Sequence, residues 1–149
     1  MPWTLDYIAR ADAQFGGVWT DVELDGLEAG AIVLPPHAGE PCKGDRRPLV
    51  PAGGARVDRV ASSLCTIAAE YARENPSCWS RIHAAAREPF SAILLTTRPL
   101  GVEEYASVAH ASGQRYRLDG FHRLIGWAWA KRLTAQTTLR AVIAGRLPD

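Results

Sequence analysis

Residues 115–133, Arg-Tyr-Arg-Leu-Asp-Gly-Phe-His-Arg-Leu-Ile-Gly-Trp-Ala-Trp-Ala-Lys-Arg-Leu, constrain the fold more than any other stretch of this chain. Their pattern predicts a short strand over 115–118, a one-glycine turn and a helix over 122–134. His122 and Arg123 then fall in the helix's first turn, directly after Asp119-Gly120. A helix N-terminus carries backbone N–H groups with no intrahelical acceptor and the positive end of a macrodipole, so it binds anions. An arginine there adds a planar fork suited to phosphate or carboxylate oxygens.

The other elements follow from periodicity and from Gly and Pro punctuation. Residues 3–15 read as a short amphipathic helix ended by Gly16-Gly17. Residues 18–34 read as two strands: Val18, Thr20, Val22 and Leu24 alternate, and Ala31–Leu34 is a compact apolar run with Asp25-Gly26 as a turn between. Residues 35–55 are dense in Pro and Gly and predict a long loop. Two helices are expected next, over about 56–74 and 78–87, the second capped by Ser77. A buried strand over 90–97, a short helix over 101–112 ended by Gly113, and a last strand over 138–144 complete the pattern. The expected class is α+β: one domain over 1–149 with a small mixed sheet of four to five strands and packed helices.

Composition narrows the function. Seventeen basic residues nearly cancel sixteen acidic ones, so the chain lacks the basic excess that nucleic-acid binding favours. Cys42, Cys65 and Cys78 form no C-x-x-C pair and read as reduced thiols rather than a zinc site or disulfide framework. The start, Met-Pro-Trp-Thr-Leu-Asp-Tyr, lacks the basic and apolar regions of a signal peptide, and no apolar run approaches the ~20 residues of a membrane span. A cytoplasmic chain with a small-molecule partner, and neither nucleic acid nor membrane, is the expectation.

The strand, the Asp-Gly-x-His-Arg turn, the helix and the closing strand together resemble the ParB/sulfiredoxin-like superfamily. The similarity runs from Tyr116 through Ala144 and extends over roughly 90–145. Arg46-Arg47-Pro48 is similar to an arginine-proline segment near the start of such domains, and 56–87 has no counterpart in a minimal member, which makes it a helical insertion. The superfamily includes sulfiredoxins, nucleotide-hydrolysing partition proteins and free-serine kinases. The resemblance implies that Gly120, His122 and Arg123 cradle phosphate while Asp119 positions the turn, a metal or a hydroxyl group. It also implies ATP or another nucleotide with Mg2+ as cofactor. Phe121 stands where sulfiredoxins carry cysteine, which excludes their sulfur chemistry, and the chain has no room for the DNA-binding domain of a partition protein.

Other residues are candidates to complete the site. Glu23 lies within a strand beside Asp25 and Glu28, and a carboxylate there suits a general base. His37, Lys43 and Arg46 lie in the 35–55 loop and suit lid contacts to a phosphate or carboxylate. Phe121, at the mouth of the turn, suits stacking on a ligand, whereas Trp127 and Trp129 read as core and Gly126 as a site of close helix–strand packing. His83 and His110 read as structural. The leading expectation is ATP-dependent phosphoryl transfer to, or activation of, a small metabolite, with Glu23, Asp119 and His122 as catalytic groups. A non-catalytic anion- or partner-binding module, and an acid–base enzyme acting on a non-phosphorylated metabolite, are the alternatives.

Overall fold

A computed structural model describes residues 2–36 and 49–147. Helix α1 (Pro2–Phe15) stops at Gly16 and Gly17, both at positive φ. Strand β1 (Trp19–Asp25) follows. The Asp25-Gly26 turn is instead the start of a five-residue helix, α2 (Gly26–Gly30). Its N-terminus carries a capping box: the Asp25 carboxylate accepts the Glu28 N–H at 2.7 Å, and the Glu28 carboxylate accepts the Asp25 N–H at 2.9 Å. Strands β2 (Val33–Leu34) and β3 (Ala55–Arg56) are two residues each.

Helix α3 (Val57–Glu74) runs into α4 (Pro76–Ala85) across Asn75. Asn75, not Ser77, is the N-cap of α4, and Pro76 occupies the first helical position, where its missing N–H costs no helix bond. Strand β4 (Ile93–Thr96) is shorter than the apolar run that predicts it. The helix expected over 101–112 is reduced to a single 3-10 turn, Glu103–Tyr105. Tyr105 is buried there and donates its hydroxyl to the Arg117 carbonyl, which holds the segment against the sheet. Strand β5 (Tyr116–Asp119), helix α5 (Phe121–Trp129) and strand β6 (Thr138–Ala144) complete the chain.

The strands form one mixed sheet of six, in the order β1-β6-β4-β5-β2-β3. The class is α+β as expected, with one strand more than the upper end of the expected four to five: β2 lies within the expected 31–34 run, whereas β3, two residues where a loop and a helix were expected to meet, is too short to show a period. Pairing alternates: β1 with β6 antiparallel, β6 with β4 parallel, β4 with β5 antiparallel, and β5 with β2 parallel. The sheet curls. Five-residue α2 links β1 to β2, four places apart in the strand order, and Glu23 of one edge strand lines a cleft with Arg56 of the other.

Two apolar clusters result. One joins Leu24, Ile93, Leu95, Leu139 and Ile143 of the sheet to Val60 and Leu64 of α3, Ile82 of α4 and Leu124 and Ile125 of α5. The other joins Tyr116 and Leu118 of β5 to Ala11 of α1, with Tyr7, Ile8 and Phe15 packed against it. Among the described residues, no helix is long and apolar enough to cross a membrane.

Helix α5 ends at Trp129, not at 134. The Lys131 N–H bonds to Ala128 O and the Arg132 N–H to Trp127 O, the reciprocal pair of a Schellman motif, with Lys131 at φ 63. The Arg132 guanidinium covers the Trp127 ring at 3.5 Å and donates to the carbonyls of Ala86 and Glu88. Gly126 serves helix–helix rather than helix–strand packing. A Cβ on it would lie 2.6 Å from Ile82 O and 2.9 Å from Ala86 N, so α4 and α5 touch backbone to backbone.

Candidate functional site

The Asp119–Arg123 turn lies where β5 leaves the sheet and α5 begins. Gly120 is the N-cap at φ 120, and a Cβ there would come 2.5 Å from Ile93 Cγ2, so glycine is required for both backbone and space. The Leu124 N–H bonds to Gly120 O at 3.0 Å, the first turn of the helix. With glycine as N-cap, no side-chain cap reaches the first-turn N–H groups from that position. The axis of α5 therefore aims the positive end of its dipole at the space beyond Gly120.

Arg123 does not project into that space. One terminal nitrogen, Nη2, donates to Asp119 Oδ2 at 2.7 Å. The other, Nη1, donates to Ser91 Oγ at 2.7 Å, Ala92 O at 2.8 Å and Ser91 O at 3.3 Å. The guanidinium thus ties the end of β5, the first turn of α5 and the approach to β4 into one unit. Ser91 is a member of the site that sequence reasoning missed. Its partner is 32 residues away, and no local pattern announces the pairing.

His122 is half-buried, and its Nε2 lies 3.5 Å from the sulfur of Cys78. The Tyr71 hydroxyl donates to the same sulfur at 3.3 Å. Both Tyr71 and Cys78 are fully buried, so α3 and α4 supply a fixed polar seat for the Nε2 edge of the imidazole. The thiol is sealed from solvent, and what it does here is orient His122. Cys78 and Tyr71 were also missed; the only signal is an unexceptional core thiol. Phe121 is not at a mouth: it is buried in the larger apolar cluster, its ring 5.3 Å from that of His122. Trp127 packs edge-on to Phe90 and Trp129 edge-on to Trp79, as core aromatics do. His83 packs beside Trp79 and Trp129, and His110 beside Tyr116.

The sequence-predicted residues are only partly brought together. Asp119, Gly120, His122 and Arg123 form one corner of the molecule. Glu23 is exposed on β1, opposite Arg140 of β6. Three strand spacings separate β1 from β5, about 14 Å along the sheet. Glu23 lines a different cleft, shared with Arg56 and Arg115 and with none of the turn residues. His37, Lys43 and Arg46 lie outside the described residues, and the expected lid with them.

The donor set at the turn does not fit Mg2+. Asp119 is its one carboxylate among the described residues, and it is already paired with Arg123. Among the described residues, no group of three or more His, Cys, Asp or Glu side chains could hold a metal ion. What the corner offers chemically is the first-turn N–H groups and positive dipole end of α5, which attract an anion, with the half-buried His122 imidazole in the same turn.

No curated protein and no solved structure matches the chain. One family model does, described as a family of unknown function (DUF6309), and it matches residues 5–149. The chain therefore belongs to the DUF6309 family, and the fold and corner described above are those of a member of it.

Proposed function

We propose that this chain is a small-molecule enzyme that takes the phosphate group of a nucleotide or phosphorylated metabolite at the N-terminus of α5. Its most concrete form is ATP-dependent phosphoryl transfer to, or activation of, a small metabolite. The observation that carries the reading is the Arg123 network, which braces the Asp119–Arg123 turn from both β5 and the approach to β4. A helix end held this rigidly meets an incoming anion without first having to be ordered. The resemblance of the strand, turn and helix to ParB/sulfiredoxin-like domains supports the same reading. In this arrangement anion charge is met by the helix end, with Arg123 acting through the turn it fixes. His122 is the group for proton transfer, in preference to Glu23, which lines a cleft that contains none of the turn residues.

Titration calorimetry with ATP, ADP and inorganic phosphate tests this. Saturable heat with one of them, lost in His122→Ala and weakened in Arg123→Ala, is the expected result. No heat and no thermal shift with any of the three overturns the reading.

The seat that Cys78 and Tyr71 make for His122 favours one alternative, acid–base work on a non-phosphorylated metabolite. An imidazole whose ordinary pKa is about 6.5 suits that work. A bell-shaped pH–rate profile that disappears in His122→Ala, in a protein indifferent to phosphate, favours this alternative.

A further inference from the structure

The C-terminal end of α5, about 14 Å along the nine-residue helix from the proposed anion site, borders a separate cleft of about 380 Å³. That volume is at the lower end of the ~300–1,000 Å³ typical of small-molecule sites. Leu27, Ala61, Ala128 and Leu133 give it apolar walls.

Its far wall is built in advance. The Gly26 N–H donates to Thr134 O at 2.9 Å, and a side chain on Gly26 would collide with the Thr134 backbone. Thr137 Oγ1 accepts the Thr134 N–H at 3.0 Å and donates to Arg132 O at 2.6 Å, which holds the 131–137 loop in place.

The charges in the cleft do not balance. Arg56 and Asp58 satisfy each other through two bonds, of 2.8 and 3.2 Å. Lys131 also lines the cleft, and its side chain has no ion-pair partner among the described residues. Lys131 further occupies the left-handed C′ position of the Schellman motif, at φ 63, where glycine is the least costly residue. It is one of only two lysines beside fifteen arginines. A residue that strains the backbone yet places the unmatched charge of a preformed cleft is the pattern of a ligand contact held at a cost in stability.

We propose that this cleft binds a small monocarboxylate with an apolar body, its carboxylate on Lys131 and its body against Leu27 and Leu133. With Arg56 and Asp58 paired, Lys131 is the unmatched charge of the cleft among the described residues, which selects a monoanion, and the apolar walls select against a bare ion. The site is independent of the turn at the other end of α5.

The test uses the intact protein with its lysines converted to 13C-dimethyl-lysine, which keeps the charge and yields separate signals for Lys43 and Lys131. Hexanoate and phenylacetate are the probes, and hexanamide is the neutral control. The expected result is a saturable shift of the Lys131 resonance with a carboxylate probe and not with hexanamide. By calorimetry, Lys131→Gly and Lys131→Asn, both tolerant of positive φ, should bind the probe at least roughly tenfold more weakly. Lys131→Gly should at the same time melt roughly 2 °C or more above the wild type. The proposal is overturned if neither carboxylate binds at millimolar concentration, or if binding leaves the Lys131 resonance unmoved. It is equally overturned if hexanamide binds as well as hexanoate, or if the Lys131 variants keep wild-type affinity.

Discussion

Both terminal nitrogens of the Arg123 guanidinium are bonded within the chain, to Asp119 on one side and to Ser91 and Ala92 on the other. Its four hydrogen bonds join three backbone segments, and its side chain is only about a quarter exposed. Arg123→Ala should therefore cost stability as well as binding, by about 2 kcal/mol in urea unfolding, less than four full bonds because the freed acceptors regain water. Arg123→Lys should recover less than half of that, since an ammonium cannot reach Asp119 and Ser91 from one planar fork. If both variants unfold at the wild-type midpoint, the brace is not structural. Position 123 was legible as important from the helix-start pattern. Its role was not, because the acceptors at Ser91 and Ala92 become neighbours only through β4–β5 pairing. The same holds for His122, whose seat on Cys78 spans 44 residues of sequence.

At the scale of elements, what was readable depended on whether an end carried its usual residue. Gly16-Gly17 marks the end of α1, and 138–144 was expected as the strand that β6 is. The end of α5 was overrun because its left-handed residue is Lys131 rather than glycine. Asp25-Gly26 reads locally as a turn and hides the start of α2, although the sequence also carries the Asp25-x-x-Glu28 spacing of its capping box. The helix expected over 101–112 gave way to the tie between Tyr105 and Arg117, which no local period reveals.

Gly126 shows two local terms in opposition. Alanine would favour helix by about 1 kcal/mol. Its Cβ, however, would press on the backbone of Ile82 and Ala86, and overpacking of that kind costs about 1–3 kcal/mol. Gly126→Ala should come out destabilising by about 1 kcal/mol, measured by thermal or urea unfolding. A stabilised variant would mean that α4 and α5 can separate freely.

For the whole molecule, the curl that brings β1 towards β3 could not be read from sequence, since it arises from pairing between strands far apart in the chain. Its global stability should fall at high pH. Burial, followed by the negative charge of Glu104, pushes Tyr7 up to about 12 from its ordinary 10.0. Burial likewise raises Tyr105. A folded-state pKa above the unfolded one means that unfolding releases the proton more easily. The contribution from Tyr7 is thus complete below about pH 10 and is lost as pH rises towards about 12. The unfolding midpoint should drop steeply over that window, and Tyr7→Phe should flatten part of the drop. A pH-independent midpoint across it would contradict the partial burial of Tyr7 and the full burial of Tyr105.

In the proposed function, the turn between β5 and α5 receives an anion. The most direct test is a titration of 15N-labelled protein with inorganic phosphate, then ATP, followed by backbone amide resonances. Saturable shifts should concentrate at Gly120, Phe121, His122 and Arg123, with Lys131 at the far end of the helix unaffected. Amides at 120–123 that stay fixed while the rest of the spectrum is unchanged or moves elsewhere would contradict it.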